Sequence, residues 1–139
     1  MAINPYINFN GNCREAVEFY ADVFESDKPV FMAFGDAPGD PSHPIPEEAK
    51  HLIMHTQFFI HGTPVMCSDV FPGHPYIQGN NISISVVSKE TDEVKRYFDK
   101  LKVGGTVHME LQETFWSKAY ANLTDRFGIG WQLSQEQQH

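Results

Sequence analysis

The sequence predicts an α+β protein built from two consecutive βαβββ modules, about 1–70 and 80–139, whose mixed sheets roll around a cleft. Three observations carry this reading. Two helical apolar stripes each follow a short β-forming run, a Pro- and Gly-rich stretch from Phe71 to Gly79 falls mid-chain, and the halves partly match when displaced by about 77 positions. That displacement pairs Ile7 with Ile84, Val17 with Val94, Tyr20 with Tyr97, Phe24 with Leu101 and Val30 with Val107.

In chain order, Pro5 to Phe9 reads as a strand stopped by Asn10-Gly11. Asn12 with Glu15 three residues on has the form of a capping box, and Cys13, Ala16, Val17, Tyr20 and Phe24 then share one helix face. Val30 to Phe34 reads as a second strand, and Gly35 opens a long connection to Pro46. Leu52 to Ile60 and Val65 to Ser68 read as a hairpin around His61-Gly62-Thr63-Pro64. The second half repeats the order. Ile82 to Val87 alternates with Ser83 and Ser85, and the stripe Val94, Tyr97, Phe98, Leu101 marks a helix ended by Gly104-Gly105. Thr106 to Leu111, Ala119 to Leu123 and Trp131 to Leu133 complete the strands. Each module has one helix for one sheet face, which leaves the opposite face to be closed by the other half or by a second chain.

Composition excludes several classes. A chain of 139 residues with 41% apolar content can bury a core without disulfide staples. Its formal charge of −8 repels phosphate backbones and anionic membrane surfaces, so neither nucleic acid nor membrane is an expected partner. No secretory leader and no long apolar run is visible. Cys13 and Cys67 lie far apart without CxxC spacing, which fits a reducing compartment with no disulfide; the expectation is a cytoplasmic protein.

Among chemistry-bearing residues, His51, His55 and His61 are the first metal candidates. A single strand spreads alternate side chains too widely to converge three donors, so they read as structural or surface residues, with His55 able to face a pocket. Asp36 and Asp69 sit at strand ends where a carboxylate can meet a ligand or cap a turn, and Asp125 reads as a turn residue. Cys67 has no evident cation to activate it. Trp131 reads as core, whereas Trp116, beside Phe115 in a connection, is placed to flank an opening. The candidate pocket lining is therefore Phe34, Met54, His55, Met66, Asp69, Trp116 and Tyr120.

Four stretches together resemble the PhnB-like group of the vicinal oxygen chelate superfamily, with its glyoxalase/bleomycin resistance fold: Pro5 to Ala16 with Phe19-Tyr20, Met66 to Asp69, Gly79 to Ser83, and Phe115-Trp116 with Asp125 to Trp131. The resemblance implies a homodimer and, in the metalloenzymes, a divalent ion on His, Glu or Gln from the first and last strands of each module. Carried over by residue, those positions fall on Pro5, on Met66 or Cys67, on Asn81 and on Gln132, and only Gln132 matches. No metal or other cofactor is expected, and the expected function is binding of a small, partly apolar molecule. The alternative is a divergent metal-dependent lyase, isomerase or dioxygenase using His55, Gln132 and residues of a partner chain. Methyl transfer has no support in the residues, because the glycine pair follows a helix instead of opening one after a parallel strand.

Overall fold

The structure, a computed structural model describing residues 2–136, divides into two units, Met1–Ile77 and Gln78–His139. The first contains β1 (Tyr6–Phe9), α1 (Cys13–Val23), β2 (Met32–Ala33), β3 (Ile53–Ile60) and β4 (Thr63–Asp69). The second contains β5 (Ser83–Ser88), α2 (Thr91–Leu101), β6 (Thr106–Gln112), β7 (Tyr120–Thr124) and β8 (Gly130–Gln135). Their sheets follow one plan, β1-β4-β3-β2 and β5-β8-β7-β6, with the first and last strands of each unit parallel and the remaining pairs antiparallel. This is the α+β class the sequence predicts.

Strand parity assigns each side chain to a face. In the first unit Ile7, Phe9, Phe58, Val65 and Cys67 turn toward α1 and are buried. They meet the stripe read from the sequence, in which Cys13, Ala16, Val17, Tyr20 and Phe24 are all buried. Phe58 lies between Tyr20 and Phe24, with ring centroids 5.2 and 6.1 Å away. Burying one such ring stabilises the fold by about 1.5–3 kcal/mol, so this cluster holds helix to sheet. In the second unit Val94, Tyr97, Phe98 and Leu101 meet Val86, Leu123, Trp131 and Leu133 in the same way.

Several local expectations are corrected. The Asn12 side chain makes no capping hydrogen bond; Asp69, from the end of β4, instead accepts the Gly11 and Cys13 N–H groups at 2.9 and 3.0 Å. A long-range carboxylate thus does what a local capping box was expected to do. Strand β2 is only two residues long, because Thr56 Oγ1 takes the Val30 carbonyl and Phe34 N–H pairs with Leu52 O, drawing the chain out of the ladder. The hairpin turn is His61-Gly62 alone, both at positive φ (49° and 79°), with Ile60 opposite Thr63. That geometry matches the twist of the flanking strands, and it removes His61 from β3. The offset of about 77 holds from the first strands through the helices to β2 and β6, where Met32 opposite His55 corresponds to Met109 opposite Asn122. Cys67 lies opposite Ile7 whereas Trp131 lies opposite Ile84, so the additional residues of the first unit fall after β2, most of them in its connection to β3 and the rest in its longer β3–β4 hairpin.

Candidate functional site

Each sheet has a face turned away from its helix, and on both faces a tyrosine hydroxyl bonds the same relative position of the last strand. Asn8 pairs with Ser68 in the first unit as Ser85 pairs with Gln132 in the second. Tyr6 O–H donates to Ser68 Oγ at 3.0 Å, and Ser68 O–H to Asn8 Oδ1 at 3.4 Å. Tyr120 O–H donates to Gln132 Oε1 at 2.8 Å, and Gln132 Nε2 to Ser83 Oγ at 2.9 Å.

The concavities beside these chains differ. In the first unit a groove of about 280 Å³ runs past Lys28, Val30, Met32, His55, Gln57 and Phe59. It is mostly aliphatic and aromatic, and Tyr6 and Ser68 lie outside it. In the second unit a pocket of about 300 Å³ is lined by Asn80, Ile82, Ser83, His108, Asn122, Thr124 and Gln132, among others. His108 Nε2 lies 2.8 Å from Thr124 Oγ1. No Lys, Arg, Asp or Glu is among the lining residues of this second pocket.

The residues expected to line one cavity are distributed between the units. Phe34, Met54, His55, Met66 and Asp69 belong to the first, and Trp116 and Tyr120 to the second. His55 borders the first groove, its ring 6.1 Å from that of Tyr6. Met66 is half-buried opposite Tyr6 and Gln57, and Met54 is half-buried on β3, where the pairing with β2 skips it. Phe34 packs edge-on against Phe71 at 5.2 Å. Asp69 is on the helix side, buried, and its second oxygen accepts Ile53 N–H at 2.9 Å, so it serves the backbone and faces no ligand surface. Trp116 is half-exposed, packed edge-to-face with Phe115 at 4.7 Å and Tyr120 at 5.3 Å.

The inherited metal positions do not compose a donor set. Pro5 offers only a carbonyl, which accepts Met66 N–H. Cys67 is buried beneath α1, where burial pushes its thiol up to about 12. The strand pairing moves the position equivalent to Gln132 onto Ser68 in place of Met66 or Cys67. Asn81 is exposed before β5, and the Gln132 amide is already engaged at both ends. Thiolate or imidazole donors would have to converge within about 2 Å of an ion. Among the described residues no three His, Cys, Asp or Glu do so; His51, His55 and His61 lie on a turn, a strand and a hairpin tip.

Sequence reasoning missed Tyr6, Ser68, Ser83, His108, Asn122 and Thr124. The available signal was the alternation of β5, in which Ser83 and Ser85 were used only to mark a strand.

With this geometry fixed, the comparisons with known proteins identify the lineage. Residues 1–134 match the family described as 3-demethylubiquinone-9 3-methyltransferase. The chain belongs to that family. It is 30% identical to the protein YjdN of Escherichia coli K12 over 141 aligned residues, covering 96% of this chain and 95% of the relative. The crystal structure of PA1353 from Pseudomonas aeruginosa is similar at 36% identity, with a TM-score of 0.86 and 99% of both chains covered. The Bacillus cereus structure described as a putative 3-demethylubiquinone-9 3-methyltransferase, PhnB protein, is similar at 26% identity and a TM-score of 0.73, covering 97% and 99%. FosX from Listeria monocytogenes, in complex with Mn(II) and 1S,2S-dihydroxypropylphosphonic acid, shares the fold at 13% identity and a TM-score of 0.65, covering 99% and 92%. The chain is thus PhnB-like, with the glyoxalase/bleomycin resistance fold. No helix among the described residues is long and apolar enough to cross a membrane.

Proposed function

We propose that the protein binds a small, uncharged, partly apolar molecule on the open face of its second unit, without a resident metal, as a cytoplasmic homodimer. The observation that carries this reading is the pocket of about 300 Å³, whose lining includes no Lys, Arg, Asp or Glu and whose apolar part includes Ile82. That volume lies at the low end of small-molecule sites and suits a ligand of one or two rings. A half-exposed Trp116, packed on the tyrosine that bonds Gln132, gives the ligand an aromatic surface nearby. Two free buried thiols support the reducing compartment. Methyl transfer, which the family description names, is not part of this reading. Gly104 and Gly105 follow α2, and among the described residues the only parallel pairing in the second sheet is β5 with β8.

The two tryptophans make the reading testable. Trp131 is buried with its indole N–H donated to Asp125 at 2.8 Å, whereas Trp116 is half-exposed. Titration with a neutral apolar dye such as Nile red is expected to give a saturable change in tryptophan emission that Trp116→Phe abolishes. A linear, unsaturable response, or an unchanged response in the variant, refutes the proposal. Metal analysis of untagged protein purified without chelator is expected to find no stoichiometric ion, and one ion per chain would overturn the metal-free part.

A further inference from the structure

We propose that Ser83 is the recognition donor of this pocket, reading a neutral carbonyl-type oxygen at the end of a hydrogen-bond relay that begins at Tyr120. This rests on the reading of the second unit's open face as the ligand surface. Each link of the relay fixes the next. Tyr120 O–H donates to Gln132 Oε1 at 2.8 Å, so the amide presents its NH₂ on the other side. That NH₂ donates to Ser83 Oγ at 2.9 Å, which fixes the serine oxygen as an acceptor and turns its own O–H elsewhere. Among the described residues this O–H has no acceptor, and Ser83 is exposed and lines the pocket. A donor at the end of a directed chain is polarised by the links behind it, and so binds an acceptor more strongly than an isolated serine does.

The surroundings select the charge of the ligand. The pocket has no carboxylate for a cation and no Lys or Arg for an anion among its lining residues, so an ion entering it would lose hydration without a counter-charge. The side-chain amide of Asn122, across from Gln132 on β7, makes no hydrogen bond among the described residues and adds a second neutral polar group. His108 is held by Thr124 on another wall. A neutral molecule with an apolar body and a carbonyl oxygen meets these groups at no electrostatic penalty. In the first unit the corresponding chain, Tyr6 to Ser68 to Asn8, does not border the groove, which confines this device to the second unit.

A matched probe pair tests the proposal: acetophenone and ethylbenzene share a ring and differ in the carbonyl. Titrated into the ¹⁵N-labelled full chain and followed by amide shifts, acetophenone is expected to perturb Ser83, Asn122 and Gln132 and to bind about fivefold tighter than ethylbenzene, the worth of one neutral hydrogen bond. Ser83→Ala, an exposed and structurally mild change, should bring acetophenone down to the ethylbenzene affinity while leaving ethylbenzene unchanged. Tyr120→Phe, which keeps Ser83 but cuts the relay, should remove part of the preference. Equal affinities for the two probes, or a preference that survives Ser83→Ala, overturns the relay while leaving the binding surface standing. If neither probe shifts residues of this face, the surface reading falls and the relay falls with it.

Discussion

The two units share strand order, the parallel pairing of first and last strands, and a tyrosine bonded to the same position of the last strand, yet their chemistry diverges wherever the fold does not constrain it. Residues 1–77 hold three Lys and Arg against ten Asp and Glu, whereas residues 78–139 hold seven against eight, so nearly all the net negative charge belongs to the first unit. The first groove is mostly apolar and is bordered by Asp27, Lys28 and His55; the lining of the second pocket mixes polar and apolar residues and includes no Lys, Arg, Asp or Glu. Both units also bury one aspartate, but at different points. Asp69 ties the start of α1 to β3, while Asp125 holds the turn before β8 and the Trp131 indole. The shared strand plan therefore fixes the scaffold, and the faces turned away from the helices are free to specialise because no helix of their own unit dictates their side chains.

The largest expected effect breaks this comparison at its buried carboxylates. Each accepts three N–H groups. Asp69→Ala leaves the buried Cys13 and Ile53 N–H groups without their acceptor, and Asp125→Ala does the same to the buried Trp131 indole N–H, so each should cost about 3 kcal/mol in urea unfolding. Both tryptophans lie in the second unit, so only Asp125→Ala should also shift the native emission. A loss under about 1 kcal/mol for either variant would show that the carboxylate is replaceable by water.

Glycines sharpen the comparison at a smaller scale. A Cβ on Gly105 would run into the Thr124 carbonyl oxygen and come within 3.0 Å of Asp125 Cα, and backbone cannot yield cheaply. Gly105→Ala should cost about 2 kcal/mol by overpacking. Gly62 has open space but a φ of +79°, so Gly62→Ala should cost about 1 kcal/mol from backbone conformation alone. Thermal unfolding of the pair checks the ranking, and a larger loss for Gly62→Ala reverses it.

The smallest effect concerns the thiols of the first unit. Burial, with further contributions from Cys67 and Asp69, holds the Cys13 thiol well above its ordinary 9.0, and burial pushes Cys67 up to about 12. Protons kept in the folded state are released by the unfolded chain above about 9, so this contribution is whole below that pH and is lost as pH rises toward 12. Stability should fall across that window, and less steeply in Cys67→Ala. Ellman's reagent should label neither thiol of the native protein at mildly alkaline pH; rapid labelling of both would refute the burial.

The helices and first strands were legible because each repeats a period that only one element satisfies: Cys13, Ala16, Val17, Tyr20 and Phe24 could be read directly, and all are buried. The candidate site was less legible. Trp116, Tyr120 and His55 were singled out by residue type and place and Gln132 by the family resemblance, but Asp69 was left open between ligand contact and a turn because a strand-end carboxylate looks the same whether it meets solvent or the backbone of a distant turn. Ser83 and His108 were passed over, since polar residues alternating along a strand are the ordinary signature of a solvated face.

Local pattern by itself determined the element order and the two-module plan, because those follow from spacing along the chain. Register decided the rest. Placing Ser68 and Gln132 at equivalent positions, turning Cys67 under α1, and linking Tyr120 through Gln132 to Ser83 all depend on which residues pair across strands far apart in sequence. A shift of one residue would turn every one of those side chains to the other face, and only the packed sheet excludes it.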